Sequence, residues 1–242
     1  MSAGTLRQIL LITDGRSNSG VSPIEAAKKA FSQGIVVNVI GVLHPNQSEL
    51  DPEFQEIEQI ARSGGGVSQV VYKENLSQTV QAVTKQAMSQ TLQGFVHQEL
   101  KHIFGTEREL VDIEPDKRGE VMEVVEDLGE ACELEVFVLV DTSASMRDKL
   151  LTVKEALIDL SMNLDARSGR NHFAIYQFPY KRETIGVIHD WAERLAEVSV
   201  IFPKLVSSGM TPSGPAIIEA INQFNRVEVS EWMYDEPYRE EG

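Results

Sequence analysis

The chain has 242 residues, with 22 Lys and Arg against 37 Asp and Glu and a formal net charge of −15. That length buries a core without disulfides or a structural metal, and the single cysteine, Cys132, excludes a disulfide framework and a cysteine-based zinc site and suits a reducing, cytoplasmic setting. The apolar run Ile9–Ile12 is too short for a signal peptide, no run approaches a membrane span, and no basic cluster is present to neutralise phosphates; neither membrane nor nucleic acid is an expected partner.

Residues 8–13 read as a strand that ends at Asp14-Gly15. Ser22-Pro23 then opens a helix to about 32, with Ser as N-cap and Pro in the first turn. Residues 35–43, IVVNVIGVL, are a strand so apolar that both its faces must be covered. A helix over 51–62 carries Phe54, Ile57, Ile60 and Ala61 on one stripe, and Gly64-Gly65-Gly66 breaks it before a strand at 67–72. A helix over 76–95, with Leu76, Val80, Val83, Ala87 and Leu92 facing inward, closes this block.

Residues 96–134 change character: residues 99–135 hold 13 acids against 4 bases. A helical extension, a turn at DIEPDKRG and a second stripe of Val121, Val125, Leu128 and Cys132 predict an acidic helical arm. The alternation resumes with a strand at 135–140, a helix at 148–164, a hairpin at 172–178 and 183–190, and a short helix around 191–197. A Gly-rich loop, SSGMTPSGP, then opens a helix at 213–224, and an acidic, aromatic tail over 227–242 is expected to be mostly loose. The expected organisation is therefore 1–95 and 135–226 as two halves of one domain, with 96–134 as the arm between them. Strand–helix alternation predicts an α/β fold, and neither block completes a sheet alone, so one mostly parallel sheet of about six strands with helices on both faces is the simplest solution.

Two strands deliver acids to the end where open α/β sheets place their ligands. VFVLV leads into Asp141, Ser143 and Ser145; ILLIT leads into Asp14; Thr211 lies in the Gly-rich loop. Taken singly, Asp141 and Ser143 also suit helix capping, Thr211 before Pro212 an N-cap, and Asp14-Gly15 a turn. Together they are two carboxylates and three hydroxyls, a hard-oxygen set suited to Mg²⁺, Mn²⁺ or Ca²⁺ rather than zinc or copper. No GxSxG, Walker loop or GxGxxG is present, and no base–nucleophile pair stands beside them.

At these residues the chain resembles a family. Asp141-Thr-Ser143-Ala-Ser145 resembles the DxSxS signature of von Willebrand factor A domains, GMTPSGPAI their threonine loop, and ILLITDG their aspartate-bearing strand. The resemblance implies a Rossmann-like fold and a metal-ion-dependent adhesion site formed by Asp141, Ser143, Ser145, Thr211 and Asp14, with an acidic residue of a ligand completing the metal's shell. The motif order departs from the family, where DxSxS comes first; here the aspartate strand opens the chain, as in a circularly permuted domain. The arm and both termini would then lie opposite the metal.

The implied function is a non-enzymatic, metal-dependent protein-binding module of a stand-alone bacterial type. The alternative is a regulatory subunit of an ATPase or chelatase machine, docking through its arm; a metal-dependent hydrolase is a weaker third. The chain would be a monomer or, if the halves complement between chains, a swapped dimer.

Overall fold

The computed structural model describes residues 5–43, 52–104, 115–181, 183–193 and 209–234, with side chains described for all of these except 52–53, 95–104, 115–118, 120–122 and 227–234. The strands are β1 (Thr5–Thr13), β2 (Ile35–Leu43), β3 (Gly65–Tyr72), β4 (Glu133–Asp141), β5 (Asn171–Phe178) and β6 (Gly186–Ala192). The helices are α1 (Pro23–Ser32), α2 (Pro52–Ser63), α3 (Leu76–Phe104), α4 (Pro115–Ala131), α5 (Leu150–Leu164) and α6 (Ser213–Tyr234).

All six strands form one sheet in the order β3-β2-β1-β4-β5-β6. Every pairing is parallel except β5 with β6. The two halves of the chain meet at its centre, where β1 and β4 pair from Thr5–Glu133 to Ile12–Val140. The sequence half before the arm and the half after it thus share one sheet.

Alternate residues of β1 explain the layers. Leu6, Leu10 and Ile12 join a core under α3 and α5, while Ile9 and Leu11 join a second core under α1, α2 and α6. With both faces covered, all nine residues of β2 are buried, and the strand has no need of a polar alternation. The predicted stripes of α2 and α3 are all buried, as are Leu150, Val153, Leu157, Leu160 and Leu164 along α5.

The structure departs from the sequence expectations at three places. The tail expected to be loose beyond residue 225 is helical to Tyr234, because nothing between Asn225 and Tyr234 is a Gly or Pro that would stop a helix. The short helix expected near 191 begins as strand: Trp191 and Ala192 belong to β6, and the Trp191 ring packs on Phe137 and Phe224; residues 194–197 of that expected helix lie outside the described residues. On α4, Val125 and Cys132 are buried as expected, but Leu128 is exposed. Met146, which follows Ser145, packs in the core, whereas Met210, which precedes Thr211, is 59% exposed.

Of the segment expected to be an acidic arm, the described residues are the far half of α3 and α4; residues 105–114 lie outside the described residues. Helix α4 packs on α3 and ends at Ala131, two residues before β4 begins. Arg167 fastens that end by donating to the carbonyls of Gly129 and Cys132. The arm thus joins the domain at the start of β4, opposite the end that carries Asp141.

Candidate metal centre

Asp141 closes β4, and Asp14 follows the last residue of β1. Because β1 and β4 are adjacent and in register, both acids arrive at the same edge of the sheet. Asp141 is fully buried and Asp14 is 3% exposed. Two carboxylates out of water require partners, and the structure supplies them.

Asp141 organises the loop that follows it. Its Oδ1 accepts a 2.7 Å bond from the Ser143 amide, and its Oδ2 accepts a 2.6 Å bond from the Thr13 hydroxyl of the neighbouring strand. Thr142 anchors the same loop by donating through its amide to the Phe178 carbonyl at the end of β5. Burial pushes the Asp141 carboxyl up to about 6, against the hydrogen bonding from Thr13 and Ser143 that stabilises its charge and with a further upward push from Asp14.

The serines then bridge toward the other half of the chain. Ser143 Oγ and Ser145 Oγ are 3.2 Å apart, and Ser145 donates a 2.8 Å bond to Asp14 Oδ1. Oxygens around a Mg²⁺ ion at its usual bond length of about 2.1 Å lie about 3 Å from their neighbours. The chain Ser143–Ser145–Asp14 therefore has the spacing of an edge-sharing oxygen shell, and its donors are all hard oxygens; the residues fit a small divalent cation. Among the described residues no group of three His, Cys, Asp or Glu is placed to hold a metal, so such a shell draws on hydroxyls as well as acids.

Thr211 reaches this end through a clamp. Asn18, four residues after Asp14, donates its amide to the Thr211 carbonyl at 3.1 Å, and its Oδ1 accepts the Thr211 amide at 2.8 Å. Ser17 Oγ also donates to the Thr211 carbonyl, while the Ser17 amide is held by Glu56 of α2. Two glycines allow the loops to close. A Cβ on Gly214 would lie 2.0 Å from the Val21 carbonyl oxygen, and Gly20 sits at φ +82° with Pro215 where its side chain would be.

Of the predicted residues, Asp14, Asp141, Ser143 and Ser145 thus form one connected hydrogen-bond network, and Thr211 is tied to the loop that Asp14 begins. The sequence reading missed Thr13, Asn18 and above all Lys149. Lys149 Nζ donates to Asp14 Oδ2 at 2.7 Å and to the Val42 carbonyl at 2.8 Å, with 3% of its side chain exposed. Burial pulls its ammonium below the ordinary lysine value, and Asp14 opposes that pull.

Residues 2–86 match the model of the von Willebrand factor type A domain. Over 228 residues, 94% of this chain and 92% of the relative, the sequence is 54% identical to "Uncharacterized protein YabS" of Bacillus subtilis (strain 168). The chain belongs to the YabS family and carries a von Willebrand factor type A domain. A crystal structure of an uncharacterized protein from Alicyclobacillus acidocaldarius subsp. acidocaldarius DSM 446 is similar at 40% identity and a TM-score of 0.86, covering 95% of this chain and 97% of that one. The matched segment 2–86 holds the Asp14 strand; the DxSxS loop and the threonine loop lie beyond it, in the chain covered to 94% and 95% by the two relatives. The fold is the Rossmann-like α/β fold of the A domain.

Proposed function

We propose that this A domain is a non-enzymatic protein-binding module that works through a divalent cation, Mg²⁺ or its hard relatives Mn²⁺ and Ca²⁺. Ser143, Ser145 and Thr211 would hold the ion with Asp14 and Asp141, directly or through water, in a metal-ion-dependent adhesion site. The observation that carries this reading is the run of close oxygens from Ser143 through Ser145 to Asp14. A bound cation supplies an open, electropositive coordination position. The rest is the protein's work. Asp141 fixes the loop through Ser143 and Thr13, and the Asn18 clamp holds the backbone of Thr211, which supports a set of oxygens that would be ready before a partner arrives. A partner carboxylate would complete the shell.

A circular permutation accounts for the order of the motifs. The strand order β3-β2-β1-β4-β5-β6 supports it, because the strand that opens the chain lies in the middle of the sheet beside the DxSxS strand. The start of β4 is where the arm joins, so permutation leaves the metal-bearing edge intact. A stand-alone bacterial protein in the cytoplasm suits the relatives and the single buried cysteine. Among the described residues no helix is long and apolar enough to cross a membrane.

The test is affinity capture from cell extract in Mg²⁺ and in EDTA. A partner held in Mg²⁺, released by EDTA and absent with Asp141→Ala supports the reading; equal capture in both buffers refutes it.

One observation favours a second reading, a regulatory subunit of a larger enzyme machine. The outward side of α4 exposes Glu123, Glu126 and Glu130 beside the apolar Val124 and Leu128, a mixed surface suited to docking on a basic face. Reversing those three charges would abolish capture under this reading and leave it intact under the first.

A further inference from the structure

Lys149 is a buried ammonium placed against a proposed metal ligand. It precedes α5, its side chain is 3% exposed, and it shares its protons between Asp14 Oδ2 and the Val42 carbonyl. Asp14 is thereby divided: one oxygen faces Lys149, and the other faces Ser145. An ion pair out of water is expensive to assemble and adds little stability over an apolar pair of the same size. Its presence at this position calls for another reason.

We propose that Lys149 is the fixed counter-charge of the metal centre, a positioning residue that weakens cation binding so that the loaded site still attracts an anionic ligand. This rests on the metal reading above. Asp14 and Asp141 without Lys149 would give the centre two negative charges, which a divalent cation would cancel. Only the open coordination position, with no net positive charge behind it, would then remain to draw a carboxylate toward a chain of net charge −15. With Lys149 in place the two acids and one ammonium leave a single negative charge, and the loaded centre is positive. Lys149 reaches the centre through Asp14 and need not touch the ion.

A purely structural lysine predicts the opposite sign for its removal. If Lys149 only held Asp14 in place, its loss would loosen the site and weaken metal binding. If its charge is what matters, its loss removes a repulsion acting at short range in a buried site, where a unit charge outweighs the loss of one orienting bond.

The experiment is titration of the full chain with Mn²⁺ alone, read by electron paramagnetic resonance and by the Mn²⁺-induced rise in melting temperature. Lys149→Met should lower the melting temperature of the metal-free protein, bind Mn²⁺ at least about tenfold more tightly than wild type, and show the larger Mn²⁺-induced rise. In the Asp14→Asn/Lys149→Met double variant, which restores the net charge, affinity should not exceed that of wild type. If Lys149→Met is unfolded without metal, refolding at Mn²⁺ concentrations below those that saturate wild type carries the same meaning, and failure to refold at saturating Mn²⁺ overturns the proposal. Wild-type binding with equal or weaker binding by Lys149→Met also overturns it while sparing the metal reading. No Mn²⁺ binding by any variant overturns both.

Discussion

The hydroxyl of Thr13, the last residue of β1, donates a 2.6 Å hydrogen bond to Asp141, the last residue of β4. The bond spans 128 residues of sequence and joins the two halves of the chain at the edge where their acids meet. Adjacent strands in register make it possible; a slip of one residue would turn Thr13 to the opposite face.

Thr13→Val should therefore destabilise the protein by about 1–3 kcal/mol, because it leaves a buried carboxylate oxygen without its donor while keeping the shape of the side chain. Chemical denaturation monitored by circular dichroism measures this. A loss below about 0.5 kcal/mol would show that the bond does not hold Asp141.

The raised carboxyl of Asp141 gives the metal-free protein a specific pH dependence. Its folded value is about 6 against an ordinary 3.8, so the folded state binds this proton more tightly than the unfolded state. Stability then increases as pH falls from about 7 through 6 towards 4, by about 3 kcal/mol from this group, and is flat below. Asp141→Asn removes that contribution. The difference between wild-type and Asp141→Asn stability, measured in EDTA across pH 4–7, should grow more favourable to wild type as pH falls; a pH-independent difference contradicts the assignment.

Asn18→Ala tests the loop clamp. It removes the acceptor of the Thr211 amide at a surface loop, so global stability should change by under about 1 kcal/mol. Mn²⁺ affinity should fall about tenfold as Thr211 loses its position. Gly214→Ala should act in the same direction, since its Cβ would strike the Val21 carbonyl. Unchanged affinity in both would remove Thr211 from the site.

How far the sequence could be read depended on burial. The ends of β1 and β4 were legible because an apolar run stopping at an acid marks where a covered strand emerges, and one shared sheet followed from two incomplete half-sheets, whereas the pairing of β1 with β4 came only with the structure. Lys149 was not legible: a lysine among Asp148 and Leu150 at the start of a helix looks like solvated surface, and only the fold brings Asp14 and the Val42 carbonyl to it. Asn18 likewise looks like a turn residue until the threonine loop lies against it. The continuation of α6 was hidden because acids after Asn225 suggest a solvated tail, although charge alone does not end a helix.

Cys132 provides a check away from the centre. It is 2% exposed, and burial raises its thiol above the ordinary value although Arg167 opposes this. A buried thiol with little thiolate is unreactive. At pH 8 the native protein should react with a thiol reagent at least about a hundredfold more slowly than the unfolded chain, and comparable rates would show that the joint between α4 and β4 opens readily.

Where a cation binds decides whether the oxygens of Ser143, Ser145 and Asp14 form a metal centre. Crystals grown with Mn²⁺ and measured near the manganese absorption edge should show an anomalous peak within bonding distance of the Ser143 and Ser145 hydroxyls, beside Asp14. Density free of any such peak at saturating Mn²⁺, with Ser145 still bonded to Asp14, would contradict the metal centre.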